Sequence, residues 1–527
     1  MPDVLLGQAY YLRFDPKLWR AHQPYAPLGT LHAAAHLREA GHSVALFDAM
    51  LAKGESEWAT ALDRARPRLA VIYEDSFNYL TKMCLLRMRH AAETMIQMAR
   101  ARGCAVIVSG SDATDRPELY LRSGASAVVL GEGEVTLTEL VAALMTGRTG
   151  ADVPGVACLD HAGTVQRSGS RPFVRALDDL PLPAWDLVDV KTYRRVWRRR
   201  HGYHAMNLAT TRGCPFHCDW CAKPIYGQRY AVRSPANVVN EIGWLRREYA
   251  PDQLTIVDDV FGLQPGWIHA FADLVQASEC RLPFRCLMRA DQVTPDIVRA
   301  LVASGCRMVW MGAESGSQRI LDAMEKGVHV DQIRDAARHL QTSGIDVGLF
   351  LQFGYPGEEW EDVEATLRLV RDVAPEDIGV SVSYPLPGTK FHDRVRAELG
   401  PKQNWFDSDD LAMMYRARYE PEFYRVLHHV VHHDFRSRRH EAHMRALSAR
   451  RTTMQPSDLR RLASWAYHRA ALPLASHKLR RLARAPGPAP RPTRLGPVLT
   501  HGAAAVPSHQ EDESASSGTR HEALGTS

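Results

Sequence analysis

Short apolar runs alternate with amphipathic stretches along most of this chain, and that alternation limits its fold more than any other feature. In the first 150 residues, VLLG (4–7), VALFD (44–48), LAVIY (69–73), AVIVSG (105–110) and AVVLG (127–131) have the length and apolar continuity of buried strands. Between them lie LGTLHAAAHLREAGH and LLRMRHAAETMIQMARARG, the latter closing on glycine in the usual helix-stop position. Such alternation builds a parallel, doubly wound sheet whose ligands sit at the carboxyl ends of the strands. The turns SGSDATDRPE and GEGEVTLTE follow the fourth and fifth runs and belong on that edge. A second series begins near residue 200, with strand candidates at 205–210, 253–257, 283–288, 307–311, 346–350 and 378–383. Helix patterns follow the first five. Six βα-type units in a row predict a partial (β/α)6 barrel of the TIM type.

The expected fold class is therefore α/β: a flavodoxin-like (Rossmann-type) domain over 1–150, a barrel core over 200–400, and a C-terminal helical region over 401–485. Residues 151–199, with the Pro-rich DDLPLPAWDLVDV and the basic YRRVWRRR, read as a connector, and 486–527 as a disordered tail. A chain of 527 residues is too long for one ordinary core. Its net charge of +5 is small for that length and does not imply nucleic acid. No apolar run is long enough to span a membrane, and the N-terminus lacks a secretory pattern, so a cytoplasmic protein with reduced thiols is expected.

Three of the nine cysteines fall within eight residues, in TTRGCPFHCDWCAKP (210–224). Cys214, Cys218 and Cys221 form C-x3-C-x2-C. A structural zinc site normally takes four ligands in two spaced pairs, so zinc would need His217 or a distant residue as well. Three thiolates on one short loop suit a [4Fe–4S] cluster with one iron open to another ligand.

The segment resembles the signature of the radical S-adenosylmethionine (SAM) superfamily, including Trp220 directly before the third cysteine. The resemblance implies that SAM chelates the open iron and is split to a 5′-deoxyadenosyl radical. MGAESGSQRILDAMEKG (311–327) resembles the family's Gly-Glu strand segment, which implies that Glu314 lies near the methionine moiety of SAM. Arg289, in FRCLMRADQV, is a further candidate for SAM contact. LQFGYPGEEWED (351–362) and SVSYPLPGTKF (381–391) resemble the strand ends of one large branch, so the likeness covers roughly 200–395.

Most of residues 3–147 resemble the cobalamin-binding domain that precedes this barrel in one subfamily, on YAPLGTLHAAAHLREAGHSVALFD and SGSDATDRPELYLRSGASAVVLGEGEVTLTEL. By that resemblance Gly110, Ser111, Asp112 and Thr114 approach the corrin or its nucleotide tail, and Gly131, Glu132, Gly133 and Glu134 form the last turn. The cobalt-ligating D-x-H-x-x-G pattern is missing, so no protein histidine is expected on the metal.

Together these resemblances imply a cobalamin-dependent radical SAM enzyme, foremost a methyltransferase that moves a methyl group from methylcobalamin to an unactivated carbon of a small molecule. The alternative keeps both cofactors but ends as an oxidative cyclase, like that acting on magnesium-protoporphyrin ester, or as a rearrangement. Methylthiolation would want a second three-cysteine set, whereas the N-terminal domain holds only Cys84 and Cys104. The expected partners are the small-molecule substrate and an electron donor such as flavodoxin or ferredoxin. HHVVHH (428–433) reads as solvated or packed histidines, and RRVWRRR (194–200) as a solvated linker.

Overall fold

Five parallel strands open the chain: β1 (Val4–Gly7), β2 (Val44–Phe47), β3 (Leu69–Tyr73), β4 (Ala105–Ser109) and β5 (Ala127–Val129), in the order β2-β1-β3-β4-β5. This computed structural model describes residues 1–450 and 456–484, so the expected tail lies outside the described residues. The unbroken apolar runs are explained by burial on both faces. Leu5, Ile72, Val106 and Val108 pack with Trp58, Met95 and Ile96 on one side, while Val4, Leu6, Val71 and Ile107 meet Ala33, Leu137 and Val141 on the other. The order places the crossover reversal between β1 and β3, the usual ligand crevice of a flavodoxin-like sheet.

Residues 151–199 differ from the irregular connector expected of them. β6 (Val156–Leu159) and β7 (Val165–Arg167) add to β5 as antiparallel strands, extending the first sheet to seven. The basic run folds as helix Val190–His201, with Tyr193 and Trp197 buried, and the Trp197 indole N–H donates to the Pro24 carbonyl at 2.6 Å. Its two aromatics stand four residues apart on one helical face, a periodicity hidden by the surrounding arginines.

The second sheet comprises β8 (Ala205–Leu208), then β11 (Gln253–Ile256), β12 (Phe284–Met288), β13 (Cys306–Glu314), β14 (Asp346–Phe353) and β15 (Asp377–Val382), all parallel and in chain order. Between β8 and β11 the chain forms a small hairpin of β9 (Thr211–Arg212) and β10 (Ala231–Val232). Side-chain alternation separates the two faces. Cys286, Met288, Val309, Met311, Val347 and Leu349 are buried, whereas Arg285, Leu287, Met308, Trp310 and Phe350 remain partly open on the inner face of the half-barrel.

Helices Pro421–Arg450 and Pro456–Arg484 follow, but residues 401–420 of the expected helical region form an irregular strap. The strap returns to the first sheet: the Trp405 carbonyl accepts from the Leu86 N–H at 2.8 Å, and Ser408 donates to Asp15 at 2.6 Å. Both sheets lie in one compact unit. Among the described residues no helix is long and apolar enough to cross a membrane.

Candidate functional site

The three cysteines sit in the loop that joins β9 to β10, at the carboxyl end of β8. Cys214 is buried, Cys218 and Cys221 are half-buried, and none is in a disulfide. Gly213 opens the loop with φ +77°, and a Cβ there would lie 2.3 Å from the Arg229 carbonyl oxygen of the returning limb. No other residue type meets both demands without strain. Lys223 folds the loop onto itself by donating to the Phe216 carbonyl at 2.7 Å. Burial pushes the Cys221 thiol up to about 12 and moves Cys214 the same way, while the Lys223 ammonium opposes both shifts. A bound cation would supply the compensating charge, because coordination releases thiol protons. Among the described residues no three His, Cys, Asp or Glu side chains converge as they would on a single ion. A cubane takes its thiolates at separate corners, and three thiols on one short loop fit that group by number and kind of donor.

Asp219, between the second and third cysteines, was not picked out by sequence. Its side chain is fully buried, accepts from Arg394 Nη2 at 2.9 Å and also accepts from the Tyr355 hydroxyl. Its backbone N–H donates to the Met324 carbonyl at 2.9 Å, and its carbonyl accepts from the Phe391 N–H at 3.2 Å. Tyr355 belongs to the GYPGE segment after β14, and Arg394 follows the PGTKF segment after β15. Those two segments therefore clamp the cysteine loop. Arg289, expected to meet SAM, also braces the loop: its guanidinium lies 3.7 Å from the Phe216 ring centroid. Its fork is taken by Asp291 at 3.0 and 2.9 Å, and Nη2 donates to the Lys326 carbonyl at 3.0 Å.

Glu314 ends β13 with φ +56° and pairs with Lys326 Nζ at 2.9 Å, both side chains being buried. A Cβ on Gly312 would stand 2.4 Å from Glu314 Oε1 and 2.6 Å from Lys326 Nζ, which explains the Gly-x-Glu spacing. Burial works against the Lys326 ammonium, but the charges of Glu314 and Cys218 outweigh it and hold its pKa above the usual lysine value. Lys326 is thus a second residue that sequence missed, placed between Glu314 and the cysteine loop. Trp220 is half-buried, and its indole N–H is buried with no partner among the described residues.

At the carboxyl edge of the first sheet, a Cβ on Gly110 would lie 2.8 Å from the Glu74 side chain, and one on Gly133 would lie 2.7 Å from the Tyr73 hydroxyl. The buried Ser111 hydroxyl has no partner among the described residues. Asp112 is held internally, by Arg89 through two bonds of 2.6 Å and by the Tyr120 hydroxyl at 2.7 Å. Thr114 Oγ1 accepts from the Gly131 N–H at 3.0 Å, tying the two glycine-bearing turns together.

Glu132 and Glu134 are engaged by the barrel. Arg212 Nη1 lies 2.6 Å from Glu132 Oε1, and Nη2 lies 2.8 Å from Glu134 Oε1. Ser76 bonds the Tyr226 hydroxyl at 2.7 Å, and Lys82 pairs with Asp259 at 2.6 Å. These cross-links set the ligand edge of the first sheet against the cysteine loop.

Residues 208–370, which include both the cysteine loop and the Gly-x-Glu terminus, match the radical SAM superfamily. That stretch carries a radical SAM domain. The chain is 28% identical over 386 residues to an uncharacterised methyltransferase of Pyrococcus horikoshii, covering 72% of this chain and 80% of that one. It is 27% identical to the anaerobic magnesium-protoporphyrin IX monomethyl ester cyclase of Rubrivivax gelatinosus, over 53% of this chain and 50% of that one. Among solved structures, the cobalamin-dependent SAM radical enzyme OxsB superposes with TM-score 0.69 at 16% identity, covering 91% of this chain and 72% of that one. The radical SAM methyltransferase TsrM of Kitasatospora setae superposes with TM-score 0.61 at 21% identity, covering 74% and 77%. These likenesses establish the fold, a flavodoxin-like domain joined to a radical SAM half-barrel.

Proposed function

We propose that this protein is a cobalamin-dependent radical SAM methyltransferase acting on an unactivated carbon of a small molecule. The observation that carries the reading is the buried Arg212–Glu132–Glu134 junction, which ties the last ligand-edge turn of the first sheet to the residue two before Cys214. Cys214, Cys218 and Cys221 would hold a [4Fe–4S] cluster, with Glu314 and Lys326 beside SAM and Trp220 lining that pocket. Gly110, Ser111, Gly131 and Gly133 would take the corrinoid over the barrel mouth, where the unpartnered Ser111 hydroxyl awaits a ligand. Bound there, the cluster and SAM supply a carbon-centred radical, and the corrinoid a transferable methyl group. The protein's part is positional: Asp219 fixes the loop, Arg212 fixes the two edges, and burial of both excludes water. The longer span shared with the methyltransferase relative favours methyl transfer over cyclisation. An electron donor of the flavodoxin or ferredoxin type and a reducing cytoplasm belong to the same reading, and nine free thiols are compatible with the latter.

Anaerobic reconstitution with iron, sulfide, cobalamin and SAM tests it. Methyl transfer yields both 5′-deoxyadenosine and S-adenosylhomocysteine. Deoxyadenosine without S-adenosylhomocysteine would point to the cyclase, and a colourless protein that cleaves no SAM would overturn the proposal.

A further inference from the structure

We infer that the inner face of the half-barrel is built for an acidic substrate with a flat apolar body, Arg285 taking its carboxylate or phosphate and the Trp310–Phe350 pair its body. The inference rests on the reading of the barrel as the radical SAM core.

Strand register puts these residues on one surface. Arg285 pairs with Met308, and Leu287 with Trp310, so Arg285 and Trp310 share the face opposite the buried Cys286 and Val309. Trp310 stands beside Gly348, and Phe350 beside Gly379. A Cβ on Gly348 would lie 2.3 Å from the Trp310 ring, and one on Gly379 would lie 2.7 Å from the Phe350 ring. The two glycines therefore let the rings lie close against the sheet. The rings stack at 4.6 Å and 26°, and Phe350 stays 38% exposed. A large aromatic exposed inside a barrel, on a shelf cleared by two glycines, is a surface shaped for an apolar plane.

Arg285 supplies the charge. Among the described residues the four buried arginines each have a carboxylate: Arg89 has Asp112, Arg212 has Glu132 and Glu134, Arg233 has Glu241, and Arg289 has Asp291. Arg285 makes a single hydrogen bond among the described residues, from Nε to Thr255 Oγ1 at 2.9 Å, and no salt bridge. Burial holds its pKa below the usual arginine value, against weaker opposing effects of Tyr203, Asp377 and Tyr25. A desolvated guanidinium whose terminal nitrogens have no hydrogen-bond partner among the described residues matches a bidentate oxyanion. Arg285 lies three residues before Met288, the last residue of β12, about 10 Å from the strand end at about 3.3 Å per residue. A substrate held there would have to be elongated to bring its reacting carbon to the barrel mouth.

Isothermal titration of the anaerobically reconstituted protein with 2-naphthoate, 2-naphthyl phosphate and 2-naphthamide separates head group from body. Wild type should bind at least one acid about tenfold more tightly than the amide, the size of one charge-assisted hydrogen bond. Arg285→Gln should abolish that preference, Arg285→Lys should keep part of it, and Phe350→Ala should weaken acid and amide alike. Equal binding of acid and amide by wild type, retention of the preference in Arg285→Gln, or no binding of any probe would overturn the inference. Cluster absorbance and SAM cleavage, measured on the same wild-type preparation, report separately on the underlying reading.

Discussion

Arg212 Nη2 stands 2.8 Å from Glu134 Oε1, with the two side chains 4% and 3% exposed, in a pair that joins the β9–β10 hairpin to the helix after β5. The cysteine loop begins two residues after Arg212, so its position is set by a charge at the start of the helix that follows β5. The pair does not make the interface strong by itself, since desolvation offsets most of the Coulomb gain. It makes the interface specific.

Arg212→Ala leaves two carboxylates facing each other without a cation. Loss of one partner from a buried ion pair costs about 3–5 kcal/mol, to be read by urea denaturation of the unloaded protein. Combining Arg212→Met with Glu132→Gln and Glu134→Gln should recover most of that loss, because the charges then vanish together.

Gly312→Ala inserts a methyl group where Glu314 Oε1 would be 2.4 Å away. Overpacking of this kind costs about 1–3 kcal/mol, and the carboxylate is the group that must move. Iron content should be retained while SAM affinity falls about tenfold, the equivalent of about 1.4 kcal/mol, in equilibrium dialysis.

Asp219→Ala removes the acceptor that binds Arg394 and Tyr355 and frees the cysteine loop from the barrel. Reconstituted protein should lose iron to a chelator faster than wild type. Arg394→Ala should do the same, and the double variant should be no worse than either, since residues of one network are not additive.

Glu358 is buried, and that burial raises its carboxyl pKa to about 8. An unfolded glutamate releases its proton near pH 4.5, so between about pH 4.5 and 8 the folded protein binds the extra proton. Stability from this group is therefore present at low pH and drains away as pH rises, by up to about 1.4 kcal/mol per unit. Glu358→Gln should be nearly neutral at pH 5 and progressively stabilising toward pH 8, read by denaturant midpoints. An unchanged difference across that range would sink the assignment.

Much of the fold was legible because its signals are local. Strands of the first sheet are unbroken apolar runs buried on both faces, and Gly213 and Gly312 mark places where the backbone leaves no room for a side chain. The cysteine triplet and the Gly-x-Glu terminus were legible for the same reason, as chemistry-bearing residues close in sequence. Asp219, Lys326 and Arg285 were not. Asp219 meets a tyrosine 136 residues away and an arginine 175 away, and no short pattern records such a pairing. β6 was hidden because it is only four residues long, and β7 and helix Val190–His201 because their apolar positions are few and set among polar and basic residues.

The sequence by itself determined two series of βα units, a three-thiol loop and the glycines that let the backbone approach itself, because periodicity and steric freedom are properties of neighbouring residues. Only the tertiary structure decided which of its charges are already spent. Glu132, Glu134, Asp112 and Arg289 are held by partners inside the protein, whereas Arg285 has no salt bridge among the described residues. The reason is physical: the cost of a buried charge depends on what lies within a few ångströms of it, and folding alone brings those groups together.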